Sequence, residues 1–574
     1  MFSNMKPAEK RLLEACQKGE FLFLEEKRPM EKTDKNEIRG EFLRVLILSN
    51  NQEIEENGKK YILKVDAKGV MFCGVFVSGE FNFSFCSTDL LFLFVNSIFE
   101  KKINISDSKI KFLNLQGTKV LSIDGQRLVC ESQVFLRDGF ESRGEVNFYS
   151  AQISGDLDCS NGKFYNENGN ALNCEKSKID GSISFNNGFE AKGNINLSLS
   201  QIYYNLDCSY GKFYNKNKYV FLCNNTKING SVFFRKSEFY GEINFISAQI
   251  GSNFECINSK FNNEKLFSIN CNKALINGSF YLWVVDIKGN INFDSLNIAN
   301  TLNIIELDIT GNLMLNSSII KEIIINDNFW EKENLKELFL DGLEYKHLSG
   351  NDLNSFTFIS LFKKMSEFKP QPYKQLAKVL RNMGHNEDAN NILIKYNDII
   401  TSKSKNWFIK ILKKIYGFTA GYGYKPMRVL GTMFMVWFLC SLFYWNASKV
   451  AVFAPTNPLV FQKKDSYICN VNSNGTPLLD FFNYSKYNSS NNWILNENLE
   501  GEYTTFNPFL YSLDVILPIV DLQVEKDWGQ YVSSNNGTLN DFTRWLMWFE
   551  ILFGWTYSLI LVAILSGLAK NEKD

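Results

Sequence analysis

The chain has 574 residues, with 62 Lys and Arg balanced by 62 Asp and Glu, 50 Phe, 12 Cys and only two His. The charge balance excludes a basic nucleic-acid footprint and an acidic mimic of DNA. His347 and His385 are too few to build a His-rich zinc site, a haem ligand set and a Ser-His-Asp triad, so most imidazole chemistry drops out.

In chain order, residues 1–60 read as an N-terminal helical cap. Leu12, Leu13 and Cys16 fall at helical spacing, and Glu37 to Ser49 puts Phe42, Val45 and Leu46 on one face. Met1 to Glu20 is charged and lacks the apolar run of a secretory signal, so the expected setting is cytoplasmic, with reduced thiols.

Residues 61–327 repeat. Gly144, Gly193, Gly241 and Gly289 each open one phrase, from Gly144-Glu145-Val146-Asn147-Phe148 to Gly289-Asn290-Ile291-Asn292-Phe293, at spacings of 49, 48 and 48. Apolar triplets near Val146, Leu157, Leu172 and Ile183 divide each unit into two coils of about 24 residues, with Gly, Asn, Asp and Ser between them. Short strands bury nothing alone, and a fixed long period predicts a stack of parallel coils, about 11 of them in a rod of roughly 50 Å. Stacked Asn side chains are expected to bond up the column. Cys159, Cys208 and Cys256, then Cys174, Cys223 and Cys271, keep the same beat, and no Cys-x-x-Cys occurs. These thiols read as an inward column of small hydrophobes rather than a metal or redox site.

The phrase Ala151-Gln152-Ile153-Ser154-Gly155-Asp156-Leu157-Asp158-Cys159 resembles that of divergent pentapeptide-repeat-like bacterial proteins, although strict tandem five-residue repeats are not sustained. The resemblance implies a mainly β, right-handed parallel β-solenoid.

Residues 328–402 read as a helical pair that resembles a tetratricopeptide-like unit. Ser355 to Phe368 has an apolar face, Pro370 opens the next helix, Leu376, Ala377 and Leu380 face inward, and Gly384 stops it. Residues 403–428 form a basic interfacial helix and linker. Trp407, Ile411 and Ile415 share a face while Lys410, Lys413 and Lys414 point away, so Trp407, Lys410, Lys413 and Lys414 are assigned to a membrane interface.

Residues 429–574 read as a transmembrane module. Val429 to Tyr444 and Trp545 to Leu568 are apolar enough to span a bilayer, and the second holds one charge, Glu550. Lysines before the first span, and Lys570 and Lys573 after the second, predict cytoplasmic termini at a bacterial inner membrane. The outer loop 447–544 carries 10 acidic and 6 basic residues. Within it, residues 506–522 start at Asn507-Pro508 and are too short to span, which suits either a re-entrant pore helix or an interfacial helix. Asp514, Asp521, Glu525, Asp527 and Glu550 are the candidate pore or ion-attracting residues. Thr419 to Pro426, Tyr511-Ser512-Leu513-Asp514 with Leu517-Pro518, and Gly554-Trp555 with Ala563 to Leu568 resemble the membrane tail of the same bacterial family, often labelled membrane-associated oxidoreductases. No Gly-x-Gly-x-x-Gly follows a strand, and no catalytic, cofactor-binding or metal residue is assigned. The expected function is a membrane-anchored solenoid that binds a protein or ligand, with two readings of its module: a homo-oligomeric ion channel, or a plain anchor. The oxidoreductase label is the alternative.

Overall fold

The computed structural model describes residues 2–49, 52–56, 58–325, 334–350, 354–462, 492–495, 499, 503–530 and 537–567. Asp327, Lys570, Lys573 and much of the outer loop, on which parts of the sequence reading fall, lie outside these residues. The chain divides into two compact units, Met1–Ala389 and Asn390–Asp574.

The first unit is a parallel β-solenoid of about 12 turns. One inward column runs its whole length: Val70, Phe92, Leu113, Val134, Leu157, Ile183, Leu206, Val232, Phe254, Phe280, Leu302, Ile323 and Leu348, each paired in register with the next. Every member is buried. Two sheets, of 22 and 17 strands, line the coils. Many strands are two residues long, such as Leu157–Asp158 and Ile183–Ser184, with one side chain in and the next out.

The 48- and 49-residue repeat is two coils of unequal length. Leu157 to Ile183, Leu206 to Val232 and Phe254 to Phe280 advance 26 residues, whereas Ile183 to Leu206 advances 23 and Val232 to Phe254 advances 22. The surplus goes into an arch. Strand pairing slips between Tyr165 and Asn170 and again between Asn262 and Phe267, looping out four residues each time. The Asn166 side-chain amide donates to the Asn170 carbonyl at 2.7 Å, and Asn263 does the same to Phe267 at 2.8 Å. In the next coil a glycine lies against the arch. Gly193 (φ 129°) and Gly289 (φ 132°) occupy a backbone region reserved for glycine. A Cβ on either would stand 2.3 Å from the carbonyl oxygen of Asn166 or Asn263.

The asparagines that follow the inward apolar residue serve chiefly their own turns. Asn147, Asn173, Asn196, Asn244, Asn270 and Asn292 each accept the backbone N–H two residues on, at 3.0–3.3 Å. The expected column contact is present from Asn173 to Asn147 at 3.3 Å. One residue beyond each of these turns the chain enters the left-handed region, as at Ser150, Lys176, Leu199, Ser247, Lys273 and Ser295.

The six periodic cysteines are buried, as expected. They lie on two columns and alternate with larger side chains: Cys159, Phe185, Cys208, Phe234 and Cys256, and Cys174, Leu197, Cys223, Phe245 and Cys271. All six thiols fall in the long coils and the larger groups in the short ones, so each thiol leaves room for the larger side chain of the next coil. Burial pushes all six thiols well up from the ordinary range.

On the outer face charge alternates: Lys119, Glu141, Lys163, Glu190, Lys212, Glu238, Lys260 and Asp286 are successive rungs of one column. A slip of one coil would set like charges side by side, so the ladder opposes mispairing.

Both ends of the unit carry more strand than the sequence reading allowed. The helices α1 (Pro7–Lys18) and α2 (Gly40–Leu48) are present, but Leu22–Phe23 and Glu37–Arg39 join the ladder beside Val70–Cys73 and Phe76–Ser78. Residues 52–56 and 59–63 form an antiparallel hairpin. Beyond position 327, Leu335–Phe339 and Glu344–Ser349 continue the solenoid. Leu335 and Leu338 have helical spacing, but the open edge of the preceding coil offers them a ladder and an apolar floor. The helices α3 (Ser355–Phe362) and α4 (Pro370–Asn382) then close this end. Phe358, Leu361 and Leu376 meet Ile323, Ile325 and Leu348 of the last coils around an apolar cavity of about 50 Å³. The unit boundary falls inside α5 (Asn386–Ser402).

Two opposite effects test this account. Gly289→Ala should lower stability by about 2–4 kcal/mol, seen as earlier melting of the solenoid. Val284→Gly should raise it by about 1 kcal/mol, since a β-branched residue is held at φ 54° there. In a Cys86→Ser/Cys469→Ser variant, the remaining thiols should react with an alkylating reagent only after denaturant is added, read by mass spectrometry.

Candidate functional site in the second unit

In the second unit α6 (Trp407–Ala420) leads through Gly421–Gly423 into α7 (Pro426–Ser448). A short helix α8 (Pro458–Gln462) follows, then α9 (Pro508–Ile516), α10 (Val524–Asp527) and α11 (Gly537–Leu565). Two stretches, Pro426–Ser448 and Asp541–Leu565, are long and apolar enough to cross a membrane. They are close to the spans read from the sequence. Phe434, Phe438, Leu439, Trp545, Leu552, Leu559 and Val562 leave an exposed apolar belt on them.

The short helix α9 is wedged between the two long ones. Asn507 caps it by accepting the N–H groups of Phe509 and Leu510, and Pro508 sits in its first turn, where no N–H is needed. The Trp437 indole N–H, midway along α7, donates to the Phe509 carbonyl at 3.0 Å. On the other side Gly554 of α11 admits the α9 C-terminus. A Cβ there would lie 2.1 Å from the Ile516 carbonyl oxygen. Near its start the wedge packs Tyr511 against Tyr444, Phe453 and Phe506, with ring centroids 5.1–5.5 Å away.

After α9 the chain turns back. Leu517 packs with the cluster of Val429, Met433, Tyr557 and Ile564, whereas Leu522 and Val524 pack with Tyr444, Phe453, Phe506 and Trp528. The strand Trp528–Gln530 then pairs with Phe453–Pro455, just beyond the end of α7. The segment therefore enters and leaves by the same end of the helix pair. Its return, Leu517 to Asp521, is non-helical, with Ile519 87% and Val520 46% exposed. The Ile519 and Asp521 backbone N–H groups meet no acceptor among the described residues.

Glu550 is fully buried at the centre of the wedge. The Tyr444 hydroxyl donates to one carboxyl oxygen at 2.8 Å, and Ser512 bonds the other. Ser512 also lies 3.1 Å from the Trp437 carbonyl. One carboxyl group thus ties α7, α9 and α11 together.

The four other acidic candidates have separate fates. The Asp514 carboxylate is buried and accepts the N–H groups of Leu522 at 2.7 Å and Glu525 at 2.8 Å, which closes the return loop. Asp527 accepts from Thr504 N–H at 3.0 Å. Lys526 pairs with Asp521 and holds its carboxyl below the usual range. Glu525 is half-buried, and burial, with the nearby Asp514 charge, pushes its carboxyl up. Asp514 and Glu525 come together; Asp521 and Asp527 serve other contacts. At the interface candidates, Trp407, Lys413 and Lys414 are exposed, and Lys410 reaches the Ser402 carbonyl at 2.9 Å.

Sequence reasoning missed Trp437, Tyr444, Ser512 and Gly554 as parts of one site. The available signal was a small residue inside an apolar helix, which permits close backbone approach, and polar groups facing a lone acid in such a helix. No family model matches the chain, and no curated protein or solved structure does either.

Glu550→Leu should destabilise the detergent-solubilised protein by about 1–3 kcal/mol, because it strands the buried Tyr444 hydroxyl and removes one of the two acceptors of Ser512, whereas Glu550→Gln should cost less. Thermal melting of both variants checks the order. Gly554→Ala should act like Glu550→Leu, by expelling the α9 C-terminus.

Proposed function

We propose that the chain is a membrane-anchored solenoid protein whose second unit forms a cation-conducting homo-oligomer, with the solenoid as its cytoplasmic partner-binding element. The observation that carries this reading is the exposed, non-helical return from Leu517 to Asp521, which follows directly on the α9 C-terminus seated at Gly554 of the second long apolar helix. Backbone of this kind is not stable against lipid, where each unsatisfied group costs several kcal/mol. It needs protein or water over it. Further copies of the chain around an aqueous axis supply both, and two spans cannot enclose a channel alone. The α9 C-terminus turns the negative end of its dipole toward this return, and Asp521 lies at the end of the same stretch, so cations are favoured over anions.

Seven basic residues, from Lys403 to Arg428, precede the first span and support cytoplasmic termini at a bacterial inner membrane. The solenoid supports partner binding because it offers long ordered faces. The oxidoreductase reading draws nothing from the periodic thiols, whose burial disfavours the reactive thiolate.

One observation favours the plain anchor instead. Asp514, Asp521 and Asp527 are already engaged within the chain. Purified full-length protein in planar bilayers separates the readings. Cation-selective current is expected, with Asp521→Asn lowering selectivity for cations. A silent bilayer containing correctly folded protein leaves the anchor.

A further inference from the structure

The helix α6 touches the rest of its unit by little more than its C-terminal turn. Gly417 and Ala420 are its buried residues, and Gly417 has no room for a Cβ because the Tyr422 ring would lie 2.5 Å from it. Apart from the half-buried Tyr416, its other large apolar residues are exposed. Trp407 is 71% and Phe418 78% exposed, and Phe408, Ile411, Leu412 and Ile415 are exposed as well. On a helix these six share one broad face, while Lys410, Lys413 and Lys414 share the narrower opposite one. Lys413 and Lys414 have no carboxylate partner among the described residues. Met427 and Leu430, next along the chain at the start of α7, are exposed as well and precede the exposed apolar belt of that helix.

We infer that α6 lies in the headgroup layer of a negatively charged bilayer, its aromatic and aliphatic face among the acyl chains and Lys410, Lys413 and Lys414 on lipid phosphates. The inference rests on the membrane-anchored reading and adds a lipid preference to it. A water-exposed ridge of six large apolar groups is unfavourable, and the lysine stems reach upward past that ridge to place their charges at headgroup level.

The test uses full-length protein with Cys86→Ser and Cys469→Ser, carrying one nitroxide at Ile411→Cys or, as a control, at Phe434→Cys on α7. It is reconstituted in phosphatidylcholine vesicles with and without phosphatidylglycerol. Collision rates with oxygen and with a water-soluble nickel chelate report depth. The expected result is an Ile411 label accessible to oxygen and shielded from nickel in the anionic vesicles, and less so in the neutral ones. Each of Lys410→Gln, Lys413→Gln and Lys414→Gln should lower the docked-to-undocked ratio about fivefold. An Ile411 label in water while the Phe434 label is in lipid overturns the inference and spares the anchor. Both labels in water overturn the anchored reading itself. Equal burial in neutral vesicles overturns the charge preference, and shielding from both reagents means that protein, not lipid, covers the face.

Discussion

A two-residue strand buries one side chain and makes a couple of ladder bonds, so no coil of this chain is stable until another lies against it. The whole first unit follows from that dependence. Thirteen residues from Val70 to Leu348 form one continuous buried column, each held in place by the pair above and below. Stability in such a stack is a sum over neighbouring interfaces, and the ends need covers. The helices α1 and α2, and α3 and α4, stand at those ends, where the exposed apolar floor of a terminal coil would otherwise meet water.

The repeat unit is larger than a coil because two devices alternate. A long coil throws out an arch at Asn166 or Asn263, and the next, shorter coil tucks Gly193 or Gly289 beneath it. Inside, cysteine in one coil makes space for phenylalanine in the next; outside, lysine faces glutamate. Volume, backbone and charge thus share one period, and each opposes a slip of a single coil. Consistency of this sort is what lets a chain of near-identical strands choose one register.

In the second unit the organising constraint is different: backbone away from water must find its partners within the protein. The helix α9 is too short to cross a bilayer, yet it lies between two that are long enough. It is held by the Trp437 indole, the Gly554 gap and the Glu550 carboxyl. Asp514 serves the same end, since its carboxylate satisfies two N–H groups of the returning chain. An acid that attracts notice in the sequence as an ion ligand is, in the fold, a substitute for missing main-chain bonds.

Order along the chain was enough to specify the solenoid, its period, the inward thiols, the two apolar helices and the start of the short helix at Asn507-Pro508. All of these are written as local patterns: spacing, alternation, run length and an Asn-Pro cap. It took the folded arrangement to settle that residues 335–349 hold strands rather than helix, that the asparagines close turns more than they stack, and that Glu550 meets Tyr444 and Ser512. Those outcomes depend on what a distant segment offers: an open edge, a left-handed turn already formed, or a hydroxyl 106 residues away. Spacing along a chain records which faces are apolar, but it does not record which polar groups will have lost their water.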